Sequence, residues 1–189
     1  MAKILKLAAV LFVITAVTGL ILGGVYTMTL EPISSAKEKE KMAALAETLP
    51  EASDFEEVDC PEDHSIIKEV NKGSVNGETV GYNLTVTPKG YGGLIEMVVG
   101  IDDEGKLIDI KILSHTETPG LGAKAADPAF SDQFEKKNVD RIVITKSAPT
   151  EENEVQAISG ATITSSAVAD GVNTALEYWA KNLKGEGNK

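Results

Sequence analysis

The sequence holds a single cysteine, Cys60. No internal disulfide can form, and a thiolate zinc site or an iron–sulfur cluster would need several more thiols. The two histidines, His64 and His115, are far apart and show no metal-ligand spacing. Positive charge is scarce: 18 Lys and Arg against 29 Asp and Glu leave a net charge of −11. That balance disfavours nucleic acid, whose phosphates need a basic face. No Gly-x-Gly-x-x-Gly run follows a strand pattern, so a nicotinamide fingerprint for hydride transfer is absent. The acidic run Asp102-Asp103-Glu104-Gly105 lacks the spaced ligands and terminal Glu of a calcium loop and reads as a turn. The chain has no internal repeat. These absences leave no catalytic and no metal-ligating candidates, and any redox chemistry needs a bound organic cofactor.

What is present begins with a long uncharged run. Residues 1–6 form a short basic head with Lys3 and Lys6, and residues 7–30 carry no charge at all. A bilayer-spanning helix needs roughly 20 apolar residues, whereas the apolar core of a cleaved signal peptide is about 7–15. The run is therefore read as a retained transmembrane helix, with Tyr26 near its outer end and Glu31-Pro32 closing it. Ser34-Ser35-Ala36 is a weak cleavage motif well beyond the apolar stretch. Lys and Arg counts on the two flanks are equivocal, because Lys37, Lys39 and Lys41 follow. The nearest outer flank, residues 31–36, has no positive charge, which places the N-terminus inside.

Residues 31–63 read as a helical stalk, with Met42, Leu45 and Leu49 at helical spacing ahead of Pro50, and then an acidic linker. The stalk helix serves equally as a partner-binding element or as a helix packed on the domain. From residue 64 the period shifts to strands. Residues 66–70 are a short strand candidate, Asn76-Gly77 is a hairpin signal, and residues 80–87 alternate as a strand that Pro88 stops. Gly90-Tyr91-Gly92-Gly93 is a flexible joint. Residues 94–101 and 107–113 form a second hairpin. Residues 127–138, with Phe130 and Phe134 one turn apart, read as a short helix, 141–145 as a strand, and 148–154 as a polar loop. The pattern Val168, Val172, Ala175 or Leu176, Trp179, Leu183 is one face of a closing helix, and 184–189 is a flexible tail. The expected fold is α+β, a mostly antiparallel β-sheet with flanking helices plus one N-terminal transmembrane helix, with the domain at 64–183.

Two stretches carry chemistry. Ser159-Gly160-Ala161-Thr162-Ile163-Thr164-Ser165 delivers hydroxyls to a helix N-terminus, where unpaired N–H groups and the positive dipole end suit a phosphate. Ordinary helix capping and a glycine turn explain the same residues. His115-Thr116-Glu117-Thr118-Pro119-Gly120-Leu121-Gly122 contains a forced turn and glycines that let backbone approach a flat ligand; an ordinary strand-to-helix loop has the same composition.

Taken in order, the apolar N-terminal helix, the Thr-Glu-Thr-Pro-Gly-Leu-Gly stretch and Ser-Gly-Ala-Thr-Ile-Thr resemble the FMN-binding G-type subunit of the Rnf ferredoxin:NAD oxidoreductase complexes, which couple electron flow to sodium or proton transport. The related C-type subunit of the sodium-pumping NADH:quinone reductase shares both motifs and is typically longer. The similarity runs from about Lys6 to Trp179. It implies FMN joined covalently to Thr164 by a phosphoester, installed by a separate flavin transferase that takes FMN from FAD. It also implies that Ser159, Gly160, Ala161, Thr162 and Ser165 surround the phosphate, and that Glu117, Thr118, Gly120 and Leu121 line the ring. Family members often have Asp three residues before the motif serine, where this chain has Gln156. The implied role is electron relay within a larger assembly rather than independent catalysis. The protein would sit in a bacterial cell membrane, N-terminus cytoplasmic and domain extracytoplasmic, among lipid and the membrane and iron–sulfur subunits of the complex. An anchored binding or sensor domain without a cofactor, and a stand-alone flavinylated carrier, are the competing functions.

Overall fold

The computed structural model describes residues 1–58 and 66–185. Cys60, His64 and the end of the expected acidic linker lie outside the described residues, as do the last four residues of the tail. The described chain forms two units, Met1–Lys41 and Met42–Lys189.

Helix α1 spans Ala2–Thr48 and is long and apolar enough to cross a membrane. Its first unit exposes apolar side chains such as Leu11, Phe12, Leu20 and Leu22, as a lipid-facing helix does. Hydroxyls along it are absorbed by the helix itself: Thr18 donates to the Ile14 carbonyl at 2.9 Å and Thr29 to that of Val25 at 2.9 Å. Sequence pattern closes the membrane helix at Glu31-Pro32. In the structure Pro32 lies inside α1. Proline removes one backbone donor and clashes one turn back, but strong helix formers on both sides (the Ala-, Lys- and Glu-rich stretch from Ala36 onward) continue the helix past it.

The second unit is built on five strands in the order β1-β2-β3-β4-β5: Asp54–Val58, Ile67–Val75, Glu78–Val86, Glu96–Asp102 and Leu107–Ser114. Every neighbouring pair is antiparallel. The β2–β3 hairpin turns at Asn76-Gly77, both with positive φ (52° and 85°), as a type I′ turn requires. Strand β1 falls in the stretch read as linker. Its side chains Asp54, Glu56 and Glu57 hide the alternation, and charged residues are how an edge strand resists pairing with another chain.

Strands β3 and β4 are buried on both faces. Tyr82, Leu84 and Val86 pair with Ile101, Val99 and Met97 and meet α3, Thr162–Tyr178, through Val168, Val172 and Ala175. Most of these side chains are wholly inaccessible, and each stabilises the fold by about 1.5–3 kcal/mol. The opposite face receives Ala44 and Leu45 at the end of α1, against Val98 and Phe55. There Asn83, buried among apolar groups, accepts from Thr48 Oγ1 at 2.9 Å and donates to the Leu45 carbonyl at 3.0 Å. Glycine makes the approach possible: a Cβ on Gly100 would lie 2.0 Å from the Thr48 carbonyl oxygen. Residues 44–49 thus pack on the domain.

After β5 the chain makes a tight turn at Gly122–Ala126, then the short helix α2, Pro128–Ser131, and a further turn to Phe134. Phe130 and Phe134 meet edge to face, with ring centroids 5.4 Å apart. Two three-residue strands, β6 (Val143–Thr145) and β7 (Glu154–Gln156), pair in parallel and lead into α3. The last turns of the closing helix, Trp179–Leu183, widen to π geometry, and Trp179 covers Gly105. The α+β class and the antiparallel sheet are those expected.

Candidate functional site

Three loops converge at the N-terminus of α3. The first lies between β3 and β4, where the Gly90 N–H bonds the Gly93 carbonyl at 2.7 Å. The second follows β5. The Leu121 N–H bonds the Thr118 carbonyl at 3.1 Å, with Pro119 second in the turn and Gly120 third at φ 77°, the residues a type II turn demands. The third precedes α3. The Ala161 N–H bonds the Ile158 carbonyl at 2.9 Å, again with glycine third, Gly160 at φ 77°. Ser165 clamps this turn to the helix: its Oγ donates to the Ala161 carbonyl at 3.0 Å and accepts from the Ile158 N–H at 2.9 Å.

The N-cap of α3 is Ala161, and no side chain caps the helix. The capping explanation for the hydroxyls therefore does not apply here. Ser165 is occupied, Thr162 is exposed, and Thr164 points elsewhere. The N–H groups of Thr162, Ile163 and Thr164 open the helix with no turn before them to bond to, at the positive end of a 17-residue helix.

Thr164 is 1% exposed, and its Oγ1 donates to Glu117 Oε2 at 2.6 Å, within the range of O–H···O⁻ bonds. Glu117, 5% exposed, accepts the Gly92 N–H on its other oxygen at 2.9 Å. The Glu117 N–H bonds His115 Nδ1 at 3.3 Å, which orients the imidazole toward backbone. Glycines clear the space around this carboxylate. A Cβ on Gly90 would lie 2.3 Å from Oε1, and one on Gly122 would lie 2.4 Å from Oε2 and 2.7 Å from Thr164 Oγ1.

Above Thr164 opens a cleft of about 590 Å³. Of the ten residues expected from sequence, Glu117, Thr118, Leu121, Gly160, Ala161, Thr162 and Thr164 line it together. Three do not. Ser165 is fully buried in its clamp, Gly120 faces solvent in its turn, and exposed Ser159 borders a separate hollow with Lys124, Gln133 and Gln156. Gln156 itself is exposed, its N–H held by Gln133 Oε1 at 2.8 Å. Glu117 stands at the hydroxyl end of the cleft. Sequence reasoning missed Tyr91 and Ile163, 72% and 58% exposed at the rim. An aromatic set between glycines, and an apolar residue in a helix's first turn among hydroxyls, were the available signals. Among the described residues no cluster of His, Cys, Asp and Glu is placed to hold a metal ion.

Residues 90–177 match the FMN-binding domain family. The G-type subunit of the Na⁺-translocating ferredoxin:NAD⁺ oxidoreductase complex of Acetobacterium woodii is 36% identical, over 93% of this chain and 91% of that one. The chain belongs to the G-type subunit family of the Rnf complexes. Two further members agree. They are the G-type subunits of the proton-translocating ferredoxin:NAD⁺ oxidoreductase complex of Clostridium ljungdahlii (36%, covering 85% and 83% of the two chains) and of the ion-translocating oxidoreductase complex of Methanosarcina acetivorans (34%, 93% and 94%). The fold is also that of the C-type subunit of the Na⁺-translocating NADH-quinone reductase from Parabacteroides distasonis, at TM-score 0.63 and 18% identity over 84% of this chain and 98% of that one. The match to the FMN-binding family spans all three loops of the cleft and the whole first turn of α3.

The residues present fit such a cofactor. Uncapped N–H groups at a helix N-terminus suit a phosphate, and Gly160, at φ 77°, makes the turn that leads into them. Tyr91, Leu121 and Ile163 supply exposed apolar surface for a planar ring.

Proposed function

We propose that this chain is a membrane-anchored electron-carrier subunit of an ion-translocating ferredoxin:NAD oxidoreductase complex, with FMN joined through a phosphoester to Thr164. The observation that carries the reading is the position of Thr164. Its buried hydroxyl sits at the floor of the cleft, beside the uncapped first turn of α3. The Thr162, Ile163 and Thr164 N–H groups and the helix dipole hold the phosphate. Gly160 and Ala161 shape the loop around it, Thr118 and Leu121 border the ring, and Tyr91 and Ile163 frame its open side. Bound flavin supplies one- and two-electron chemistry, which the protein positions and tunes. The cleft's exposed mouth suits exchange with neighbouring redox groups rather than turnover of a small substrate.

In this reading residues 7–30 of α1 cross the membrane, the N-terminus is cytoplasmic, and the domain is extracytoplasmic. Its partners are lipid, a flavin transferase during maturation, and the membrane and iron–sulfur subunits of the complex. A covalent link keeps the cofactor on a domain that faces away from the cell's flavin supply. Thr164→Val tests the attachment. The variant loses flavin fluorescence that survives denaturing electrophoresis yet melts close to the wild type; covalent flavin retained in Thr164→Val would refute the assignment. Co-purification with multi-spanning subunits then separates the complex from a stand-alone carrier.

A further inference from the structure

Thr164 poses a chemical problem that the fold addresses. An alcohol is a weak nucleophile until a base removes its proton. Its hydroxyl is not free: it already donates to Glu117 Oε2 at 2.6 Å. Other nearby candidates are engaged, since His115 Nδ1 accepts a backbone N–H and Ser165 Oγ bridges two backbone groups. The carboxylate is also held firmly. The Gly92 N–H fixes its second oxygen at 2.9 Å, and Gly90 and Gly122 leave no Cβ to displace it. Burying a carboxylate at 5% exposure is costly. A glutamine would pin the same loops with neutral hydrogen bonds, so loop anchoring alone does not account for the acid.

We infer that Glu117 is the general base for loading of its own chain, a role that rests on the attachment of FMN to Thr164. The transferase presents flavin adenine dinucleotide to the cleft. The Thr164 O–H bond breaks and its proton passes to Glu117 Oε2. Thr164 Oγ1 forms the new bond to the flavin-side phosphorus, the phosphoanhydride bond breaks, and adenosine monophosphate leaves with that bond's electron pair. No redox change occurs. The proton left on Glu117 solves a second problem: a neutral acid, rather than a second anion, then stands beside the phosphodiester. Glu117 thus belongs to the attachment chemistry and not to the ring.

The test uses the full-length chain in detergent, produced without the transferase, then mixed with purified transferase and FAD. Covalent flavin on the Thr164 peptide is followed in time. Glu117→Gln keeps a side chain that can accept from Gly92 but cannot take the proton. Loading by this variant falls about 10²–10⁴-fold, the usual worth of a general base, in kcat rather than KM for the acceptor chain, with unchanged melting. Glu117→Asp, which restores a proton acceptor one methylene short, loads at least about ten-fold faster than the glutamine variant, on the same scale. Wild-type loading beside Glu117→Gln loading at the same rate overturns the inference and leaves the attachment site standing. A wild-type chain that takes no flavin on Thr164 overturns both. If Glu117→Gln does not fold, Gly122→Ala decides the matter. It keeps the carboxylate but crowds it off the hydroxyl, and wild-type loading in that variant overturns the proposal.

Discussion

Gly122→Ala should damage stability and site together, for a reason that can be worked from distances. The Gly122 backbone lies outside the left-handed region, so alanine meets no φ penalty there. The whole effect comes from the new Cβ, 2.4 Å from Glu117 Oε2, 3.0 Å from Glu117 Cβ and 2.7 Å from Thr164 Oγ1. None of these neighbours can retreat easily, because Thr164 is on a packed helix and Glu117 is tied to Gly92. Overpacking costs about 1–3 kcal/mol, and loss of a hydrogen bond to a charged group about 1.5–3 kcal/mol. Together they come to about 3–4 kcal/mol once relaxation trades part of one for the other. For a chain of this size about 2–4 °C is lost per kcal/mol, so melting falls by about 10 °C. The assay is thermal unfolding of the unloaded full-length chain, followed by the fluorescence of Trp179, the sole tryptophan and a core residue. Gly120→Ala is the control. It carries left-handed strain at φ 77° with nothing within 4 Å of its Cβ, costs about 1–2 kcal/mol, and leaves loading intact. A Gly122→Ala chain that melts within about 2 °C of wild type and loads normally would refute the claim that Glu117 and Thr164 are held in contact.

Asn83→Ala removes both of its bonds to the α1 end, while the Leu45 carbonyl keeps the Leu49 N–H at 3.0 Å. Thr48 Oγ1 keeps its 2.8 Å bond to the Ala44 carbonyl, which softens the loss. The expected cost is about 2 kcal/mol, read as a lower denaturant midpoint at unchanged slope; a shift equivalent to under about 0.5 kcal/mol would contradict the tether. Asp109 gives a pH dependence. Burial first, then repulsion from Glu135, Glu47 and Asp132, pushes its carboxyl up from 3.8 to about 6, against the pull of the Ile110 N–H. A raised acid pKa means the folded state holds the extra proton, so this contribution is present below about pH 4 and is lost as pH rises through about 6. Solvent screening at this half-exposed site reduces the effect to about 1 kcal/mol. Asp109→Asn therefore stabilises the domain at pH 7 and not at pH 4, and an equal gain at both pH values would contradict the assignment.

The parts of the fold written in local pattern were legible. Alternation marked β3, apolar and β-branched content on either side of an acidic turn marked β4 and β5, Asn76-Gly77 marked the first hairpin, and the apolar face from Val168 to Leu183 marked the closing helix. Strand β1 was hidden because three of its five residues are carboxylates, and only its pairing with β2 makes it a strand. Pro32 misled because proline's local preference is weaker than the helix-forming sequence that continues beyond it. The site divided along the same line. The glycine turns and the exposed threonines could be read from spacing. The contact between Glu117 and Thr164 could not, since 47 residues separate them and only the sheet and α3 bring them together. Ser165 illustrates the reverse: a hydroxyl in the motif whose position beneath Ala161 gives it a structural duty.

Everything proposed for the cleft depends on Thr164 carrying the flavin. Peptide mass analysis of the protein purified from its native membrane asks that question without intermediaries, with in-gel flavin fluorescence beside it. The expected result is a mass increment of one FMN less water on the peptide containing Thr164, localised by fragmentation to that residue. An unmodified Thr164 peptide from cells that make the flavin transferase, or the same increment on Thr162 or Ser165, would contradict the assignment.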